Sequence, residues 1–375
     1  MPGAGLEDVV AAATSISDID GKLGRLFYVG YDIHELAPNS TFEEVVHLLH
    51  HLRLPSRSEL EKLTDNLIAE RDLNPWVAAL MPTFATEASP MSMLRTTVSA
   101  MSAHDPDGWD NSADANYRKA MRLIARAPSA IGSYHRLRNG LEPLRANPKL
   151  SHAGNVLWLI TGEEPDEDAA RIMDICLILH ADHTMNASTF AARVAASTLS
   201  DLHSAMTAAI ATLKGPLHGG ANEAVMKMLL DIGEPSKASA YIKTVLADKQ
   251  KIMGFGHRVY KTEDPRATHL RGLSKEIGEA FGDTRWYEIS LEVEKTVMDE
   301  KGLYPNVDFF AASVYYCLGL PIDLFTPIFA ASRMAGWTAH AREQYADNRL
   351  IRPESEYIGP RNQHYVPIDQ RGEQK

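Results

Sequence analysis

Cysteine is nearly missing from this chain: there are two in 375 residues, Cys176 and Cys317, both inside apolar, helix-like runs. So low a count excludes a disulfide framework and leaves buried structural thiols as the reading. No apolar run reaches the length of a transmembrane helix. The opening residues, MPGAGLEDVV, have neither the basic nor the apolar stretch of a secretory signal. Positive charge is not in excess either. A formal net charge of −11 argues against general binding to nucleic acid or anionic membranes, so an anionic substrate must be held by a local basic pocket. Internal repeats, low-complexity linkers and repeated strand–helix units are all lacking, and the last absence argues against a parallel α/β sheet. The expected setting is reducing and cytoplasmic.

What is present is ordinary globular material, with 45% hydrophobic and 23% charged residues, long enough to bury a large core in two domains or two unequal lobes. Most segments read as helix. Ser40 and Glu43 have capping-box spacing ahead of an apolar run that stops before Pro55, and Ser56 and Glu59 repeat the signal. Helical periodicity runs through 169–183 and 202–213, and Gly215-Pro216 ends the second. The one clear strand signal is a hairpin around Asp20-Gly21. From about residue 352 the chain turns polar and proline-containing, as a frayed tail or one pinned to a neighbouring surface.

Three short stretches carry titratable groups beside glycine turns or helix starts: GPLHGG at 215–220, GFGHR at 254–258 and PNVDFF at 305–310. His218 lies just before a helix starting near Ala221, where the helix dipole disfavours imidazolium. A neutral ring there caps or packs, or it donates an N–H to a developing enolate oxygen; the paired glycines, which admit a ligand close to the backbone, favour the second reading. His257 follows Gly254 and Gly256 and precedes Arg258 and Lys261. No strand or Walker context supports a nucleotide fold; the segment reads either as a solvated basic turn or as exposed backbone amides beside two cations that suit the phosphates of an extended ligand. Asp264-Pro265-Arg266 reads as N-cap, N1 and N2 of a helix, with Arg266 free to clamp a carboxylate. Asp308 follows a candidate N-cap, Asn306, and reads either as a surface acid complementing the helix dipole or, as its neighbours Val307, Phe309 and Phe310 favour, as a carboxylate shielded from water and so a stronger base. Two imidazoles and one carboxylate suit proton abstraction next to a carbonyl. His180 and His183 share a predicted helix face and read either as a weak metal pair or, for His183, as a donor to a small anion.

These segments, in this order, resemble citrate synthases. The similarity runs from about Ile19 to Gly359 through IDGKLGRLFYVGYDI, ADHTMNAST, KGPLHGGANEAV, MGFGHRVYKTEDPR, YPNVDFFAASVYY, LFTPIFAASRMAGWTAH and NRLIRPESEYIGP. The resemblance implies an almost all-α homodimer, with a large domain of residues 1–219 plus 322–375 and a small domain, 220–321, closing over a cleft. It implies an acyltransferase that condenses acetyl-CoA with oxaloacetate and water, with no cofactor and no metal. Asp308 would abstract a methyl proton, His218 would stabilise the enolate, and His257 would polarise and protonate the ketone. His183, Arg266 and Arg333 would hold oxaloacetate, joined by Arg352 from the partner subunit. Lys251, Met253, Gly254, Gly256, Arg258 and Lys261 would cradle CoA. The chain starts near the shared core, without the N-terminal domain of hexameric, NADH-inhibited members, which implies a simple dimer. A 2-methylcitrate synthase using propanoyl-CoA and a non-catalytic CoA-binding helical module are the alternatives.

Overall fold

The computed structural model describes residues 4–6 and 9–371; the remaining few at both ends, including part of MPGAGLEDVV, lie outside the described residues. Sixteen α-helices, five short 3₁₀ turns and one three-stranded antiparallel sheet, Ser17–Asp20, Arg25–Tyr28 and Tyr31–Asp32, make up the regular structure of these residues. The expected hairpin is present, but its turn spans four residues, 21–24, and a short third strand pairs with the second. No helix among the described residues is long and apolar enough to cross a membrane.

Local signals set most helix ends. Ser56 and Glu59 form the expected capping box of helix Arg57–Glu70. The preceding box is displaced by one residue: Thr41 caps helix Phe42–His51 and Glu44 closes the box. The sequence STFEE carries both registers at the same spacing, and burial of Phe42 selects the later one. Ser40 instead bonds back to the Leu36 carbonyl at 2.6 Å, and Glu43 accepts the His152 amide at 2.9 Å. Helix Leu202–Leu213 spans the expected residues, whereas helix Glu167–His180 stops three residues before the predicted end.

The core of the larger group of helices forms around the two longest, Ala113–Arg138 and Phe325–Ala346, which pack together with Trp337 fully buried. Gly132 permits a close approach to helix His152–Thr161, since a Cβ there would lie 2.6 Å from the Leu159 carbonyl oxygen. Helices Ala221–Ile232, Pro235–Ala247, Pro265–Phe281, Arg285–Lys301 and Val307–Cys317 pack chiefly on one another. The hairpin tip touches this second group, where the Lys261 amide donates to the Gly21 carbonyl at 2.8 Å. Beyond Ala346 the described residues have no regular structure except a single short turn of 3₁₀ helix, and residues 352–371 are almost wholly exposed.

Candidate active site

A cavity of about 430 Å³ opens where the two helix groups face each other, and His183, His218, His257, Arg266, Asp308 and Arg333 all line it. Sequence positions separated by as much as 150 residues thus converge on one space. Gly256 and Arg258 also line it, while Lys261 lines an adjoining recess of about 230 Å³ with Gly256, His257 and Tyr260. Lys251 is exposed, Met253 packs against the core, and Gly254 serves the backbone: at φ +83° a Cβ would lie 2.7 Å from Val225 and 3.0 Å from Phe309. Arg352 lies on the exposed tail and does not line this cavity.

His218 is presented by a tight elbow. Its amide and that of Gly219 both donate to the Gly215 carbonyl, and a Cβ on Gly219 would lie 2.0 Å from the Leu213 carbonyl oxygen. Gly220, at φ +82°, then starts helix Ala221–Ile232. The ring's Nε2 is 2.7 Å from Ser188 Oγ, a contact unreadable from sequence because Ser188 lies 30 residues away. Burial, then Arg333, lowers the imidazole pKa to about 4.

The His257 loop and the start of the Asp308 helix are stitched together. Phe255 and Pro305 form a β-bridge, Gly256 donates to Tyr304, Asn306 donates to Gly254, and Asn306 Nδ2 donates to Gly256 at 3.1 Å. Asn306 also caps the helix by accepting the Asp308 amide. His257 Nδ1 accepts two backbone amides, from Val259 at 3.0 Å and Tyr260 at 3.1 Å. That fixes the tautomer: the proton resides on Nε2, which is left as a donor. Burial, then Arg266, holds this ring neutral as well, with its pKa at about 4. His183 meets His257 edge to face at 5.1 Å and lies 3.3 Å from the Tyr260 hydroxyl. Burial, then Arg266, His257 and Arg333, pushes its pKa well below the usual value.

Asp308 behaves as its apolar neighbours suggest: burial raises the carboxyl pKa to about 6 against the opposing pull of Arg266 and Arg333. Arg266 is less free than expected, because its own N-cap, Asp264, already takes a bidentate pair at 2.9 and 2.7 Å. Among the described residues no such carboxylate pairs with the Arg333 guanidinium; its Nε donates to the His180 carbonyl and it lies 4.6 Å over the Phe329 ring. Burial lowers its pKa to about 10, so it remains charged. The site therefore holds three neutral imidazoles, a guanidinium with capacity to spare, and one poised carboxyl. His180 does not join it. The helix ends at His180, whose Nδ1 bonds the Cys176 carbonyl and Tyr315 in the core, so the predicted shared face with His183 does not form. Among the described residues no group of three or more His, Cys, Asp or Glu is arranged to hold a metal ion.

A carboxyl with a raised pKa, neutral imidazole donors and a buried guanidinium are suited to acid–base chemistry on an anionic substrate next to a carbonyl. The family model "Citrate synthase, C-terminal domain" matches residues 5–354. Citrate synthase 2 of Bacillus subtilis is 50% identical over 98% of both chains, and the same organism's citrate/2-methylcitrate synthase is 43% identical over 96% of this chain and 97% of its own. The solved structure of citrate synthase from Pyrobaculum aerophilum superposes with a TM-score of 0.92 at 44% identity, covering 98% of this chain and 95% of that one. A ternary complex of carboxymethyl coenzyme A and oxaloacetate with citrate synthase from Thermoplasma acidophilum gives 0.92 at 34% identity, covering 98% of each chain. The chain belongs to the citrate synthase family, and its activity is citrate synthase activity.

Proposed function

We propose that the cavity condenses acetyl-CoA with oxaloacetate, with Asp308 as base, His218 as enolate stabiliser and His257 as acid. Asp308 takes a proton from the acetyl methyl while His218 donates a hydrogen bond to the thioester oxygen. The enolate carbon attacks the oxaloacetate ketone, whose oxygen takes the Nε2 proton of His257; hydrolysis of the citryl thioester then yields citrate and CoA. A carboxylate is far too weak a base to act alone, each pKa unit of mismatch costing about 1.4 kcal/mol, so the hydrogen bond from His218 must offset much of it. For that role Ser188 donates into His218 Nε2 and leaves Nδ1–H for the substrate.

The observation that carries the reading is the fixed His257 tautomer facing the same cavity as a carboxyl whose pKa is raised to about 6. Arg333, His183 and the remaining donors of Arg266 hold oxaloacetate, and a homodimer brings Arg352 of the partner subunit to complete that pocket. Gly256, Arg258 and Lys261, with Lys251, Met253 and Gly254 shaping the loop, receive CoA. Residues 220–321 form the small domain that closes over the rest, which fits the way their helices pack on one another. Closure excludes water until the carbon–carbon bond exists.

Release of free thiol from acetyl-CoA in the presence of oxaloacetate, without added metal or nucleotide, is the test. The 43%-identical citrate/2-methylcitrate relative motivates a second arm with propanoyl-CoA. One methylene is worth only about 1–3 kcal/mol of discrimination. Rapid release with propanoyl-CoA and none with acetyl-CoA would move the assignment to 2-methylcitrate synthase, and tight CoA binding without turnover would make it a binding module.

A further inference from the structure

Behind the cavity lies a set of buried charges that the chemistry above does not use. Asp182 is fully buried, accepts the Ser17 hydroxyl and the Thr184 amide (3.0 Å), and has His340 Nε2 at 3.3 and 3.4 Å from its two oxygens. His340, also fully buried, has its Nδ1 3.1 Å from Arg193 Nη1. Because an arginine N–H can only donate, Nδ1 is an acceptor and the imidazole proton sits on Nε2, facing Asp182. Arg193 is held in turn by Glu343 at 2.6 Å and Gln344 at 3.1 Å. Space for the carboxylate is made by Gly336, where a Cβ would lie 2.3 Å from Asp182 Oδ1.

This chain of contacts ends on the turn that carries His183. Thr184 has φ +47°, a conformation that a β-branched residue adopts only when its surroundings impose it. The Thr184 amide is held by the Asp182 carboxylate, and two residues on Asn186 caps helix Ala187–Ser197, which presents Ser188 to His218. We propose that Arg193, His340 and Asp182 are positioning residues that lock this strained turn and so set the placement of His183 and Ser188 in the cavity. The proposal rests on the oxaloacetate-binding role given to His183. Loss of the His340 N–H leaves a buried carboxylate short of a donor and frees the turn to relax, which displaces His183 before it disturbs the CoA loop.

His340→Leu should raise KM for oxaloacetate about ten-fold, in keeping with the cost of displacing a substrate-positioning group by a fraction of an ångström. KM for acetyl-CoA should move less than two-fold. His340→Gln, whose carboxamide N–H can occupy the Nε2 position, should recover most of the loss. Asp182→Asn serves as the second variant if the leucine substitution does not fold, and should show the same KM split. A folded variant whose KM for oxaloacetate is unchanged, or whose loss appears only as a smaller active fraction, overturns the proposal. The ¹⁵N resonances of His340 in the wild-type protein, assigned by their loss in His340→Gln, give a reading independent of turnover. An unprotonated Nδ1 supports the chain and a protonated Nδ1 refutes it, whereas failure of the wild type to condense the two substrates would fall on the functional reading alone.

Discussion

Asp308→Asn should abolish turnover and at the same time stabilise the protein, and the size of the gain can be worked from the site. The carboxyl pKa rises from 3.8 to about 6, with burial as the main cause. At about 1.4 kcal/mol per pH unit, that rise corresponds to a penalty of about 3 kcal/mol for holding the ionised form in the folded state. The sign follows from the two protonation equilibria. Below pH 3.8 the group is protonated folded or unfolded and contributes nothing; between 3.8 and 6 the unfolded chain ionises first; above 6 the full penalty applies. An asparagine has the same shape and no such penalty. Thermal midpoints measured at pH 8 should therefore place D308N a few degrees above wild type, given about 2–4 °C per kcal/mol for a mid-sized domain and less for a larger chain. At pH 4.5 the gap should shrink to about a third of that value. A gap that does not change with pH, or a D308N protein less stable than wild type at pH 8, would refute the account of Asp308 as a desolvated carboxylate.

The kcat/KM profile should rise through about pH 6 and then stay flat towards pH 8, because Asp308 must be ionised while His218 and His257, both near 4, are already neutral; Arg333→Gln should shift that limb upward by removing a charge that favours the carboxylate. Gly219→Ala, which puts a methyl group 2.0 Å from the Leu213 carbonyl oxygen, should displace His218 and lower kcat by about a hundred-fold, with KM for oxaloacetate changed far less. If Arg352 serves the neighbouring subunit, mixing inactive R352A and D308A homodimers under subunit exchange should restore up to half of wild-type activity per heterodimer; continued inactivity with heterodimers confirmed by native mass spectrometry would contradict the shared site.

The parts of the site legible in the sequence are those whose signals are local. Asn306 before Asp308, Asp264 before Arg266 and the glycines around His218 announce helix starts and tight turns within a few residues, and the structure has them there. The apolar neighbours of Asp308 foretold its raised pKa in the same way. For His218 the helix start announces a neutral ring, whereas burial and Arg333, which lower its pKa to about 4, come from contacts far along the chain. What stayed hidden depends on contacts far apart in the chain. Ser188 beside His218, Tyr260 beside His183, and the Arg193–His340–Asp182 set leave no periodic or spacing signal. Arg266 is an intermediate case: its position at N2 was readable, but its bidentate pairing with Asp264 depends on a rotamer that spacing does not specify.

The central claim, that Asp308 removes the methyl proton of acetyl-CoA, is tested most directly by exchange of that methyl group with deuterated solvent. With a reduced, ketone-free analogue in place of oxaloacetate, enolisation can proceed while condensation cannot. Deuterium should enter the methyl group of acetyl-CoA with wild-type enzyme, followed by NMR, and none above background should enter with D308N under the same conditions. Exchange at the wild-type rate in D308N would show that another group takes the proton.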